Sequence, residues 1–248
     1  MSWRSTGHTN SELINNLSRN GLLTSRALAA AMLATDRAHF CPHAPYADAP
    51  QRIGYDATIS APHMHVYALE ALLPYITGER RGKVGEKEGR GVRVLDVGCG
   101  SGYLLAVIGH LLPPGGKVIG IEHIPQLTSL ATSNLRRSPA TAAMLSDGRI
   151  QAVTADGRQG YAPEAPYDAI HVGAAADGWG VVDTLVNQLG RGGRLFIPVC
   201  DGDGGEGEGG GTAGQWVWEV DKDEEGKVTK KKSHGVMYVP LTDRKEFS

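Results

Sequence analysis

Cysteine is scarce in this chain of 248 residues: Cys41, Cys99 and Cys200 are its three, odd in number and far apart. They build no disulfide framework and stand at no metal-ligand spacing, so free thiols in a reducing compartment are expected, with no metal site. An excess of one charge is missing as well. Lysine and arginine number 25 against 27 aspartates and glutamates, a formal net charge of −2. No global field therefore draws the protein onto nucleic acid or anionic lipid. The longest basic run, Lys230-Lys231-Lys232, follows an acidic stretch at 221–225 and reads as a solvated strand edge or turn. No apolar stretch approaches the length of a membrane span, and the N-terminus carries no signal-type run. A soluble cytoplasmic protein is the expectation.

What is present is an ordinary packing composition, 41% hydrophobic, in a length that suits one α/β domain over residues 1–248. Thr9-x-x-Glu12 is a capping box ahead of Leu13, Ile14 and Leu17, and Gly21 supplies a stop. A second helix covers 25–35, and a third starts at Pro62, a favourable first-turn residue, and runs through Leu73. Residues 40–55, rich in Pro, Tyr, Asp and His, show no helical or strand period and read as an ordered loop. Residues 1–77 thus form an N-terminal helical cover. Two Gly-punctuated stretches, 78–91 and 201–214, offer almost nothing to bury and read as flexible insertions between elements.

From residue 92 onward strand and helix patterns alternate, which predicts a mostly parallel sheet with right-handed crossovers. The strands fall at 92–97, 117–122, 150–155, 168–172 and 194–199, with helices at 102–112, 124–137 and 179–189. Residues 215–220, 228–232 and 236–239 read as antiparallel strands that finish the sheet.

The first of these strands, Val94-Leu95-Asp96-Val97, empties into Gly98-Cys99-Gly100-Ser101-Gly102 and then an apolar helix. Glycines at such a crossing let the backbone turn sharply and let a ligand approach its N–H groups. Their spacing is not the Gly-x-Gly-x-x-Gly that faces a pyrophosphate. Asp96 would repel a phosphate but hold a cationic amino-acid group. The next strand ends in Glu122, where a carboxylate can take both hydroxyls of a ribose. A ribose and a cationic amino acid together describe S-adenosyl-L-methionine. Beyond the third strand, Asp156-Gly157 reads either as a receiver of the adenine amino group or as a plain turn. After the fourth, the small residues 173–176 either make room for substrate or start a loop, and their place at a strand end favours the first.

Ahead of the third helix stands Ala57-Thr58-Ile59-Ser60-Ala61-Pro62-His63-Met64-His65. With it come Asp36-Arg37, Pro50-Gln51, the glycine turn at 96–102, Ile119-Gly120-Ile121-Glu122-His123-Ile124, and segments at 155–158, 167–176, 192–199 and 239–243. In these the chain resembles the protein-L-isoaspartate (D-aspartate) O-methyltransferases over nearly its whole length apart from the two insertions. The resemblance implies a doubly wound, Rossmann-like S-adenosylmethionine-dependent methyltransferase fold. It implies transfer of the cofactor's methyl to the free α-carboxylate of L-isoaspartyl residues in damaged proteins and peptides, with S-adenosyl-L-homocysteine as product and a monomer as the default. Ser60 matches the family's active-site serine. Ala57, Thr58, Ile59, Ser60 and His65 match its cofactor-lining segment, and Asp96, Gly98, Glu122, His123, Asp156, Gly157 and Thr242 match its other cofactor positions. Glu122 departs from the aspartate common in relatives.

The chemistry is consistent with these residues. A carboxylate nucleophile with a pKa of about 3.5 is ionised at neutral pH and needs no general base, so the task is positioning. Ser60 can orient one carboxylate oxygen by donating a hydrogen bond, or cap the helix after Pro62, or both. His63 reads as a structural residue, His65 as a cofactor neighbour, and Cys99 as a spacer in the glycine turn. The chain lacks a Tyr-x-x-x-Lys pair, which argues against an oxidoreductase, and an Asn/Asp-Pro-Pro-aromatic motif, which argues against a nucleic-acid methyltransferase. A catalytically inert cofactor-binding module that recruits a partner is the remaining alternative, and the intact Ser60 and Asp156-Gly157 stand against it.

Overall fold

The computed structural model describes residues 5–80, 89–200 and 214–241. Helix α1 (Asn10–Arg19) starts where the capping box sets it. Thr9 Oγ1 accepts from the Glu12 amide at 3.1 Å, and Glu12 reaches back to the His8 amide at 2.8 Å. Its Leu13, Ile14 and Leu17 are buried. Helix α2 (Arg26–Ala34) is capped by Ser25, and α3 (Pro62–Ile76) runs a turn past Leu73, because Tyr75 and Ile76 continue the buried face beyond Pro74.

Residues 40–55 are not all loop. Strand β1 (Gln51–Gly54) pairs antiparallel with β2 (Ala57–Ile59), and Tyr55 and Asp56 turn the hairpin at φ of 51° and 55°. Two central residues at positive φ make a primed turn, which usually advertises itself with Asn or Gly. Here neither is present, and the strand is correspondingly silent in the sequence.

The main sheet has seven strands in the order β5-β4-β3-β6-β7-β8-β9. Strands β3 (Arg93–Val97), β4 (Lys117–Glu122), β5 (Ile150–Thr154), β6 (Tyr167–Val172) and β7 (Leu189–Cys200) are parallel, while β8 (Gln215–Lys222) and β9 (Val228–Val236) close it antiparallel. Between them lie α4 (Tyr103–Leu111), α5 (Pro125–Leu135), α6 (Pro139–Ser146) and α7 (Trp179–Gln188). One core layer joins α1–α6 to the sheet, and a second packs Val182, Leu185 and Val186 of α7 against the other face. Strands β3, β4 and β6 in the middle of the sheet are buried nearly throughout, which is why their sequences are rich in Val, Ile and Leu, while β5 at the edge is fully buried only at Ile150. No helix among the described residues is long and apolar enough to cross a membrane.

Two assignments change at the C-terminal end and one is added. A single strand spans 228–236, so the separate strand expected at 236–239 is absent: β9 ends at Val236, and residues 239–241 do not extend it. They lie over the sheet's carboxyl edge, with Ala175 N donating to Val239 O and Leu241 N to Ala175 O, both at 2.8 Å. Helix α6, unread in the sequence, follows a Ser138-Pro139 start and buries only Thr141 and Met144, too few to give a helical apolar stripe.

At the opposite edge, Asp168 ties β6 to the segment entering β3. It accepts from the Arg93 amide at 2.8 Å and grips the Arg90 guanidinium with both oxygens, at 2.8 and 3.2 Å. Asp168→Ala leaves a largely buried guanidinium without its carboxylate and is expected to cost about 3 kcal/mol, read as a lower urea midpoint.

Candidate active site

The chain leaves β3 toward β4 and β5, then returns to place β6 on the other side of β3, so a crevice opens at the carboxyl ends of β3 and β6. Gly98, Gly100 and Gly102 line the turn out of β3 at φ of 78°, 49° and 82°, a conformation that strains any side chain-bearing residue. The turn is anchored by the Gly98 and Cys99 amides on Ile121 O, at 2.8 and 3.1 Å. Glu122, at the end of β4, is buried, and its carboxylate accepts from the Gly100 amide at 3.1 Å and the Ile124 amide at 3.2 Å. His123 Nδ1 lies 3.1 Å from the same carboxylate. Glu122 Oε2, which accepts only from the Gly100 amide, keeps a further lone pair for a ligand hydroxyl.

The cleft has two connected parts that share Thr58, Gly98, Gly100 and Gly173. The wide part, about 920 Å³ including space open to solvent, is lined by Glu122 and His123 and by the apolar Ile124, Leu127 and Leu241. The narrow arm, about 370 Å³, runs past Ser60 and His65 to Asp96, Tyr103 and His171.

Asp96 is 1% exposed, and its Oδ1 lies 2.7 Å from His171 Nδ1. The His171 ring is in turn stacked on Phe196. Its other oxygen, Oδ2, is buried with no partner among the described residues. A carboxylate oxygen left so is costly unless a ligand donor completes it. This is the structural test of the cofactor expectation: the cationic amino-acid end of S-adenosyl-L-methionine is a donor of the required charge, and its nucleoside suits the apolar wall and Glu122.

Ser60 sits between β2 and α3, half-buried, and its hydroxyl has no partner among the described residues. It does not cap α3. Ala61 is the N-cap and offers no side chain, while Asp48 from the preceding loop accepts from the His63 amide at 3.0 Å and lies 2.8 Å from His63 Nδ1. That contact gives His63 an anchoring place at the helix start. His65, one turn into α3, lies 3.3 Å from the buried Arg37 guanidinium and packs on the Tyr103 ring.

Of the residues singled out in the sequence, Ala57, Thr58, Ile59, Ser60, His65, Asp96, Gly98, Glu122 and His123 line one or other part of the cleft. Asp156 and Gly157 line neither. The Asp156 carboxylate is engaged by the Arg158 side chain and amide, which hold it below the usual carboxylate range, and Gly157 stands behind Leu241, where a Cβ would come within 3.2 Å of the leucine. Thr242 lies outside the described residues. Arg37, Tyr103 and His171 belong to the site without having been read as functional. Asp36-Arg37 stood among the resemblance segments, but nothing near it in sequence says what it touches. Cys99 is kept a thiol, its pKa raised well above normal by burial and by the charges of Asp96 and Glu122.

Burial, then the Arg37 charge, holds the His65 pKa well below its usual value, and burial also lowers His110 and His234. In the unfolded chain all three take up protons as pH falls through about 6.5, which the folded state resists. Stability is therefore expected to fall from pH 7.5 to 5.5, above the range where carboxylates titrate. A melting midpoint that stays flat or rises on acidification over that interval contradicts this.

A glycine turn out of the first strand, a carboxylate closing the second and a buried acid beneath the turn define an S-adenosylmethionine-dependent methyltransferase. The family model of the protein-L-isoaspartate(D-aspartate) O-methyltransferases matches residues 8–246. A protein-L-isoaspartate O-methyltransferase of Caenorhabditis elegans is 45% identical over 246 residues, covering 99% of this chain and 98% of its own. One from Arabidopsis thaliana is 41% identical over 237 residues, covering 95% and 92%. Among solved structures, a Plasmodium falciparum protein described as a protein-L-isoaspartate O-methyltransferase, in complex with S-adenosyl-L-homocysteine, matches with a TM-score of 0.79 at 26% identity, over 96% of this chain and 100% of the other. The chain belongs to the protein-L-isoaspartate(D-aspartate) O-methyltransferase family.

Proposed function

We propose that this chain transfers the methyl group of S-adenosyl-L-methionine to the free α-carboxylate of L-isoaspartyl residues in damaged proteins and peptides. The observation that carries the reading is the placement of Ser60, its hydroxyl unengaged, on the same narrow arm whose floor is the unpartnered Asp96 Oδ2.

In this reading Asp96 holds the ammonium of the cofactor's amino acid, Gly98 and residues 57–60 let its chain approach the backbone, and Glu122 with His123 takes the ribose. Asp156 and Gly157 sit at the adenine end behind Leu241, and Thr242 follows that leucine in sequence. When bound, the cofactor supplies a sulfonium-activated methyl group. The rest falls to the chain. The substrate carboxylate is already ionised, so no residue has to remove a proton. Ser60 donates its hydroxyl hydrogen to one carboxylate oxygen, which fixes the carboxylate and leaves the other oxygen to attack. His65, at the arm's wall, and the apolar neighbours Ile59 and Leu104 keep water away, which strengthens each polar contact.

The released methyl ester is a better electrophile than a carboxylate. The following backbone nitrogen attacks it, methanol leaves, and the succinimide hydrolyses partly to normal aspartate. Substrates of many sequences are accommodated through main-chain contacts in flexible segments. The protein acts as a cytoplasmic monomer in this account, a point that light scattering after gel filtration tests.

Repair itself is the test. An isoaspartyl peptide incubated with the protein and S-adenosyl-L-methionine should convert over repeated cycles into the aspartyl peptide through a succinimide, followed by chromatography and mass spectrometry. A peptide that acquires no ester and no succinimide while the cofactor binds would favour the inert binding module.

A further inference from the structure

Among the described residues, the largest fully buried side chain is a cation. Arg37 comes from the short turn Arg37–His39, held in place by its amide on Asn10 Oδ1 at 3.4 Å and by the Ala38 amide on Asp36 Oδ1 at 2.9 Å. Among the described residues it forms no ion pair. Asp48, whose charge acts on it, contacts His63 through Oδ1, and its Oδ2 is buried with no partner among the described residues. Its fork reaches the cleft wall instead: Nη2 donates to Ser60 O at 2.8 Å, Nη1 lies 3.3 Å from His65 Nδ1, and the guanidinium lies over the Tyr103 ring at 5.2 Å. Nε is buried with no partner among the described residues. A buried arginine that serves packing alone normally pairs with a carboxylate, because an unpaired interior charge is costly.

The contact with His65 has a definite chemical consequence. A guanidinium has only donors and stays protonated in proteins, so His65 Nδ1 must be the acceptor. The ring's proton then resides on Nε2, and the histidine is neutral, in agreement with the low pKa that burial and the Arg37 charge give it. Ser60 and His65 both line the narrow arm.

We propose that Arg37 is a positioning residue for the methyl acceptor: by holding Ser60 O and fixing His65 as the Nε2–H tautomer, it presents two neutral donors, backed by a buried positive charge, to the substrate carboxylate. This rests on the reading of the cleft as a carboxyl-methylation site. The positive charge, which forms no ion pair among the described residues, then acts on the carboxylate of the substrate through Ser60 and His65.

The experiment compares wild type, Arg37→Met, Arg37→Lys and His65→Gln, the last of which keeps a donor near the Nε2 position. For each, KM and kcat for an isoaspartyl peptide are measured beside the calorimetric affinity for S-adenosyl-L-homocysteine. The His65 tautomer in the wild type is read from long-range proton–nitrogen NMR spectra. The expected result is an Nε2–H ring, a peptide KM raised about tenfold or more by Arg37→Met, as for a lost hydrogen bond to a charged group, and a cofactor affinity changed less than about threefold. Arg37→Lys, which keeps the charge but not the fork, should fall between. His65→Gln should stay closer to wild type than Arg37→Met, and adding Arg37→Met to it should cost less than in the wild type.

An Nδ1–H tautomer, or a cofactor affinity that falls as far as the peptide KM rises, overturns the proposal. Should Arg37→Met fail to fold, the wild-type tautomer and Arg37→Lys decide by the same criteria. An active wild type with unaffected variants overturns the Arg37 assignment alone. A wild type that methylates no isoaspartyl peptide removes the reading beneath it as well.

Discussion

Asp96→Asn is expected to weaken S-adenosyl-L-homocysteine binding by at least about thirtyfold, the equivalent of roughly 2 kcal/mol for a lost charge-assisted hydrogen bond. The substitution keeps the volume and still lets the amide oxygen accept from His171 Nδ1, now 2.7 Å from Asp96 Oδ1. In doing so it turns the amide NH₂ toward the place of Oδ2, so a donor faces the cofactor's ammonium and the negative charge is gone. Because Oδ2 has no partner among the described residues, the cofactor-free variant should melt no lower than wild type. Loss of affinity without loss of stability is the signature to look for by calorimetry and thermal melting. An affinity within threefold of wild type would remove Asp96 from the cofactor site.

Ser60→Ala is expected to lower kcat/KM for an isoaspartyl peptide by about a hundredfold, close to 3 kcal/mol, near the upper value for one hydrogen bond to an ionised group. The cofactor affinity should stay within about threefold, since the main cofactor contacts assigned above lie on Asp96, Glu122 and the glycine turn. Folding should be unaffected. The helix start that a serine could have capped is served by Asp48 on the His63 amide, and the Ser60 carbonyl that Arg37 holds is backbone and survives the change. Ser60→Thr, which keeps the hydroxyl, should recover much of the activity. An alanine variant that turns over normally would leave Ser60 as a spacer.

The parts of the site legible in the sequence are those whose chemistry is local. A buried strand that runs into Gly98-x-Gly100-x-Gly102 can do little except turn sharply at its carboxyl end, and Glu122 follows at the end of the next strand. The parallel order of the sheet follows from the same alternation of strands and helices. The hairpin before Ser60 was hidden because Tyr55 and Asp56 adopt positive φ without the Asn or Gly that signals such a turn. Residues 236–239 read as a strand, yet β9 ends at Val236, and Val239 bonds to Ala175 across the top of the sheet instead of extending it. His171 meets Asp96 across 75 positions and Arg37 meets His65 across 28. Neither contact follows from local pattern; each exists only once the strands and helices have brought the partners together.

The central claim is that this cleft methylates an isoaspartyl carboxylate and no ordinary one. The most direct measurement offers the protein methyl-labelled S-adenosyl-L-methionine and two peptides identical except for L-isoaspartate or L-aspartate at one position, and counts base-labile methyl groups. Label on the isoaspartyl peptide alone is the predicted result. Label on both peptides, or on neither while the cofactor binds, would contradict it.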